Sequence, residues 1–257
     1  MFHELVEAWF AARFAGGATP AQERAWPAIA RGRDVLVAAP TGSGKTLAAF
    51  LYCLDRLVRR AAAGELEDKT SVVYVSPLRA LSNDVQKNLE RPLDEIAELA
   101  RARGADLAQI RTAVRTGDTS PKQRREAVKK PPHVLVTTPE SLFLLLTSAS
   151  GRSGLAAVDT LILDEIHALA GDKRGAHLAL SVERLEALVV ASGRPRPQRI
   201  GLSATVRPIE VAARLLAGAG APLPEIVDVG LRRDLDLEIL VPKDELGAVA
   251  THEQWGE

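Results

Sequence analysis

The sequence has a single cysteine, Cys53, and no net charge: 33 Lys and Arg balance 33 Asp and Glu over 257 residues. One cysteine excludes an internal disulfide and offers no cysteine-based zinc set. Cys53 lies inside an apolar helical pattern and reads as a small buried hydrophobe. Zero net charge excludes polyanion binding by bulk electrostatics, so any such binding must come from local patches. Aromatic residues make up only 4% of the chain, too few for a surface built on successive base stacking. No apolar run approaches the length that spans a bilayer. The start, Met1-Phe2-His3-Glu4-Leu5-Val6-Glu7, is acidic and amphipathic and lacks the basic start and apolar core of a signal peptide. These absences predict a cytosolic (cytoplasmic) location and no membrane partner.

What is present is a globular composition, 46% hydrophobic, with enough chain for a buried sheet covered by helices. After an N-terminal helical stretch, apolar strand-like runs alternate with helical patterns. Strands are predicted over Asp34–Ala39, Ser71–Ser76, Gln109–Arg115, His133–Thr137, Thr160–Asp164 and Arg199–Ser203. Helices are predicted over Lys45–Arg60, from Leu78 with a break or kink at Pro92, and over Pro139–Leu146, Ala176–Val190 and Pro208–Leu216. Continuous apolar strands alternating with amphipathic helices predict an α/β fold, a mainly parallel sheet with helices on both faces. Two loops are locally basic, Lys122–Lys130 and Arg194–Arg199, and both read as solvated surface. The tail from Asp228 alternates and then turns polar, like a connection leading out of the domain.

The chemistry concentrates at two strand ends. Ala39-Pro40-Thr41-Gly42-Ser43-Gly44-Lys45-Thr46 lies between the first strong strand and a helix, the context a phosphate-binding loop requires. Gly42 and Gly44 permit the tight turn that brings backbone N–H groups up to phosphate. The helix N-terminus adds positive potential. Lys45 reaches the β- and γ-phosphates of a nucleotide, and the Thr46 hydroxyl holds Mg²⁺. The second site is Leu161-Ile162-Leu163-Asp164-Glu165-Ile166-His167, two carboxylates at the end of an apolar strand. Alone, such a pair is a helix cap or a solvated turn. With a phosphate loop in the same chain, Asp164 is the residue to hold Mg²⁺ and Glu165 the one to orient and deprotonate the attacking water.

Together, AAPTGSGKT and DEIH resemble the superfamily 2 helicases of the DEAD/DEAH type, whose motor is a RecA-like P-loop NTPase domain. Further elements of that family follow in order. Phe14 with Thr19-Pro20-Ala21-Gln22 resembles the adenine-sensing Q motif, which implies Phe14 stacking on the base and the Gln22 amide reading it. Ser76-Pro77-Leu78-Arg79 is similar to motif Ia, Thr138-Pro139-Glu140 to motif Ib, and Ser203-Ala204-Thr205 to motif III. The longer strings SPLRALSND, RTGDT, TTPESL and DEIHALAGDKRGAHLAL resemble the Lhr (large helicase-related) group. The resemblance implies ATP and Mg²⁺ as cofactors. It implies a backbone-contacting track for single-stranded nucleic acid, DNA favoured and RNA possible, made of Pro77, Leu78, Arg79, Thr116, Gly117, Asp118, Thr138, Pro139 and Glu140. It gives His167, Ser203, Ala204 and Thr205 the coupling of the γ-phosphate to that track. A DNA-repair setting and 3′-to-5′ movement are implied by the Lhr resemblance alone.

A motor of this type places ATP between two RecA-like domains, and the second supplies arginine fingers that contribute roughly 10³–10⁵ in rate. The sequence shows no second sheet of this kind and no arginine-bearing motif VI. It is therefore expected to be domain one: N-terminal helices over 1–30, the ATP-binding domain over 31–230, and a connection over 231–257 toward a second RecA-like domain absent from this chain. Weak nucleotide binding and slow hydrolysis are expected of it in isolation. No LSGGQ-type segment supports a transporter-class ATPase. A non-catalytic binding module and a pure translocase remain as alternatives.

Overall fold

The computed structural model describes residues 1–230 except 78, 206 and 219, together with the backbone but not the side chains of 79–88. Seven strands form one sheet: β1 (Val35–Ala38), β2 (Val72–Val75), β3 (Thr112–Arg115), β4 (Val134–Thr137), β5 (Thr160–Leu163), β6 (Gln198–Ser203) and β7 (Glu225–Asp228). Their spatial order is β3-β4-β2-β5-β6-β1-β7, and every pairing is parallel. Among the described residues ten helices accompany them: α1 (Glu4–Arg13), α2 (Pro20–Ala30), α3 (Lys45–Ala62), α4 (Arg79–Ala102), α5 (Pro121–Lys129), α6 (Pro139–Thr147), α7 (Ala149–Leu155), α8 (Ile166–Leu169), α9 (Lys173–Ala191) and α10 (Ile209–Ala217).

The strands are apolar throughout because both faces of the sheet are covered. Alternate residues divide between two cores. Val35, Val37, Val72, Tyr74, Val134 and Ile162 face α2, α3 and α4, while Leu36, Val73, Val75, Leu135, Leu161 and Leu163 face α6 to α10. A third cluster joins Leu5, Val6 and Trp9 of α1 and Trp26 of α2 to Leu51, Val58 and Ile96 of α3 and α4, so the first thirty residues pack onto the same body.

The predicted strands and helices lie where expected, with ends shifted by one to three residues. Three expectations need correction. Pro92 does not end its helix: α4 runs through it to Ala102. An interior proline costs about 3 kcal/mol, and burial of Leu89, Leu93, Ile96 and Ala100 on that helix offsets it. The basic segment 122–130 is not a loop but α5, started by a capping box in which Ser120 and Gln123 exchange side-chain and backbone bonds, with Pro121 in the first turn. The chain also forms a seventh strand before the tail: Glu225–Asp228 pairs in parallel with β1. The segment 231–257, read as a connection, lies outside the described residues.

Strand order decides where the chemistry gathers. The phosphate loop follows β1, the acidic box follows β5, and Ser203-Ala204-Thr205 follows β6. β6 lies between the other two, in register Ala38↔Ser203 with β1 and Leu163↔Gly201 with β5. Three motifs spread between residues 39 and 205 thus share one carboxyl-terminal edge, where parallel sheets collect ligands.

Candidate nucleotide site and nucleic-acid track

The phosphate loop turns through Gly42 and Gly44, both at φ +81°, a region that side-chain-bearing residues rarely adopt. Gly44 caps α3 with no side-chain hydrogen bond, which leaves the first-turn N–H groups available to an anion. The loop is clasped from behind by the start of α2. Thr19 Oγ1 donates to the Ser43 carbonyl at 2.7 Å, and Gln22 Nε2 donates to the Gly44 carbonyl at 3.4 Å. A Cβ on Gly44 would lie 2.6 Å from Gln22 Nε2. The Gln22 carbonyl oxygen meanwhile accepts from the Thr19 N–H in a capping box. Gln22 is therefore buried and already engaged with the loop, and one lone pair and one N–H remain for any base. Phe14 is half-buried against Phe10 and Trp9, at 4.8 and 5.9 Å between ring centres.

Lys45 is buried, and its Nζ lies 3.7 Å from Glu165 Oε1. Glu165 is the one non-glycine among the described residues with positive φ (+48°), a conformation that costs energy and turns the chain sharply out of β5. Glu165 Oε2 lies 3.3 Å from His167 Nε2, and His167 Nδ1 accepts from the Ala204 N–H at 3.1 Å. An accepting Nδ1 puts the ring proton on Nε2, facing Glu165. A continuous polar path therefore runs from the phosphate loop through the acidic box to the segment after β6. In that segment Ala204 makes the link through its backbone, Ser203 bonds within its own turn, and Thr205 is exposed.

Asp164 is 6% exposed. Burial raises its pKa, and hydrogen bonds from the Tyr74 hydroxyl and the Glu165 N–H pull partly against that rise. No group of three or more His, Cys, Asp or Glu suited to a metal occurs among the described residues. A magnesium ion at a nucleotide needs no such group: one carboxylate, one hydroxyl and the phosphates suffice. Asp164, the half-buried Thr46 and the phosphate loop, in which the Ser43 hydroxyl is buried without a partner, are the groups that could supply such donors.

The loops of the proposed track follow β2, β3 and β4 at the same edge of the sheet, and among their residues Pro77, Thr116, Thr138 and Pro139 are buried. Thr116 and Thr138 are buried and spend their hydroxyls locally, Thr116 accepting from the Asp118 N–H and Thr138 capping α6. What their loops present outward is backbone together with exposed Gly117 and Asp118. Leu78 and the Arg79 side chain lie outside the described residues. Two residues that sequence reasoning missed tie the site together. Arg174, at the start of α9, donates to Glu140 Oε1 at 2.8 Å and to the Pro77 carbonyl at 3.0 Å, clamping two of the track loops to each other. Burial works to raise the Glu140 pKa, but the Arg174 bond and charge outweigh it and hold it low. Tyr74, a residue that passes for an ordinary strand aromatic, bonds Asp164. Neither signal was legible, because each partner lies at least thirty residues away in sequence.

The arginines of 194–199 are not a free basic patch. Arg194 pairs with Glu67, Arg196 with Asp34 and Glu186, and Arg199 is buried between Glu183 and Glu186. The solvated reading fails for Arg199, whose guanidinium also ties down the carbonyls of Leu216 and Ala217 at the end of α10.

Residues 19–213 match the family model of the DEAD/DEAH box helicases. The chain belongs to the DEAD/DEAH box helicase family, and this seven-stranded parallel sheet is a RecA-like helicase domain. Within the family its similarity is to the Lhr helicases. It is 48% identical to the ATP-dependent helicase Lhr-Core of Methanothermobacter thermautotrophicus, over 98% of this chain and 29% of that protein. It is 50% identical to the Lhr helicase/probable uracil glycosylase of Mycolicibacterium smegmatis, over 99% of this chain and 16% of that one. The solved structure of the Mycobacterium smegmatis helicase Lhr bound to ssDNA and AMP-PNP matches with TM-score 0.80 and 53% identity, over 88% of this chain and 28% of that chain. The chain thus spans less than a third of the length of these relatives. None of the described helices is long and apolar enough to cross a membrane.

Proposed function

We propose that this chain is the first motor domain of an Lhr-like ATP-dependent helicase. It binds ATP with Mg²⁺ and couples hydrolysis to movement along single-stranded nucleic acid, DNA before RNA, and to duplex unwinding. The observation that carries this reading is the polar path Lys45–Glu165–His167–Ala204, which joins the groups suited to phosphate, to water and to the neighbouring strand end. In this reading the amides at the start of α3 cradle the phosphates and Lys45 neutralises the β/γ oxygens. Glu165, held by His167, takes the proton of the attacking water. Thr46 and Asp164 would hold magnesium, which when bound offsets charge on the transferring phosphoryl group. Phe14 and Gln22 bound the adenine side. Pro77, Leu78, Arg79, Thr116 to Asp118 and Thr138 to Glu140 contact the strand backbone. The Lhr relative carrying ssDNA and AMP-PNP supports both ligand classes. Full turnover needs a second RecA-like domain, which the seven described strands do not supply. The proposal includes the division into helices 1–30, ATP-binding domain 31–230 and connection 231–257, and a cytoplasmic setting.

The test is ATPase activity of the 257-residue chain, with and without single-stranded DNA and RNA, beside a longer protein carrying the next domain. A nearly inert fragment and a strongly stimulated longer protein are expected, and the better stimulating strand names the substrate. Rapid hydrolysis by the fragment, indifferent to both strands, overturns the motor reading.

A further inference from the structure

Among the described residues Tyr74 is the largest side chain with no solvent exposure. It sits in β2, between Val73 and Val75, where an aliphatic residue would complete the strand equally well. A buried hydroxyl must find a partner, and here the partner is Asp164 Oδ2 at the end of the adjacent strand β5. The other carboxylate oxygen, Oδ1, accepts from the Glu165 N–H at 2.8 Å. One donor on each oxygen fixes the plane of the carboxylate as well as its direction. The Tyr74 ring in turn stacks on Phe50 of α3, at 4.7 Å between centroids and 24° between planes. One side chain therefore touches the acidic box through its hydroxyl and the phosphate-loop helix through its ring.

We propose that Tyr74 is a positioning residue for magnesium–nucleotide: its hydroxyl holds the Asp164 carboxylate at the angle that receives the ion, and its ring ties that carboxylate to the phosphate-loop helix. This rests on the nucleotide-site reading above. Magnesium demands near-ideal octahedral geometry, so a carboxylate free to rotate serves it poorly. Partners that orient such ligands typically contribute 10–100-fold to metal affinity.

The experiment is binding of a fluorescent, non-hydrolysable ATP analogue to the 257-residue chain, in EDTA and across a Mg²⁺ titration, for the wild type and Tyr74→Phe. The variant keeps the ring and loses the hydroxyl. Its Mg²⁺ midpoint is expected to rise about 10-fold, with affinity in EDTA unchanged. Phe50→Leu, which keeps the hydroxyl bond and loosens the ring, is expected to shift the midpoint in the same direction by less. An unchanged midpoint in Tyr74→Phe, whether or not its melting temperature falls, overturns the proposal and leaves Tyr74 a core residue with a satisfied hydroxyl. If the wild type binds the analogue without any dependence on Mg²⁺, the nucleotide-site reading fails and the role of Tyr74 fails with it.

Discussion

The proposed nucleotide site and the proposed nucleic-acid track lie side by side at one end of the sheet but are built on opposite terms. Lys45 and Asp164 are each 6% exposed, inside the core and held by neighbours on several elements. The track loops are held together by Arg174 and Glu140, whose side chains are 43% and 46% exposed. Buried charges are expensive to leave unpaired, at about 3–5 kcal/mol when a partner is removed, whereas an exposed ion pair contributes about 0–1 kcal/mol. The contrast fits the tasks. Phosphoryl transfer needs preorganised charges that do not move at the moment of reaction. A surface that grips and releases successive phosphates without reading bases needs shallow, replaceable contacts.

The sharpest break in that contrast comes at Glu165. Glu165→Gln should slow hydrolysis by about 10²–10⁴-fold, the usual contribution of a general base, while ATP stays bound. Single-turnover hydrolysis beside equilibrium ATP binding separates the two effects. A variant that hydrolyses normally removes Glu165 from the chemistry.

A large effect is expected far from both regions, at His133 near the outer edge of the sheet. Burial, with the charge of Arg111 beside it, pushes its pKa down from 6.5 to about 4. The folded state therefore keeps the ring neutral while the unfolded chain takes up a proton below pH 6.5. Its contribution is complete above that pH and is lost as pH falls toward 4, with a span of about 3 kcal/mol. The His133 Nδ1 accepts from the Arg111 N–H, a bond the Asn side-chain oxygen can replace. His133→Asn should flatten the fall in melting temperature between pH 7 and 4.5. An unchanged slope would place the acid sensitivity elsewhere, Asp164 included.

On the track, Arg174→Ala should weaken single-stranded DNA binding by about 3–10-fold without changing the dependence on salt, because Arg174 positions loops instead of neutralising a phosphate. A phosphate contact would lower the salt slope by about one. Titrations at several salt concentrations decide between them. The smallest expected effect concerns Cys53, whose thiol burial pushes to about 12. It should resist thiol reagents in the folded chain, with and without nucleotide, and react fully on unfolding. Fast labelling of the native chain would contradict its burial on the core-facing side of α3.

Much of this was legible because local physics suffices for it. Gly42, Gly44 and Lys45 were expected between a strand and a helix, and Asp164-Glu165 after an apolar strand, and the structure places both there; their phosphate and metal roles belong to the proposed function. The cores were legible as runs of Val, Ile and Leu. The break expected at Pro92 did not form because the local cost of an interior proline is smaller than the burial that α4 gains around it. The basic run 122–130 misled because charge was weighed before the capping signal at Ser120 and Gln123.

The sequence by itself determined the elements, their alternation and the identity of the groups proposed to meet phosphate and water, since these depend on backbone preference and chemistry over a few residues. Only the tertiary structure decided which of them touch. It set β6 between β1 and β5, turned Glu165 between Lys45 and His167, hid Arg199 against α10, and aimed the Tyr74 hydroxyl at Asp164. Apart from Glu165 with His167, those contacts join residues far apart in sequence. Their existence depends on strand order and register, which no local pattern carries.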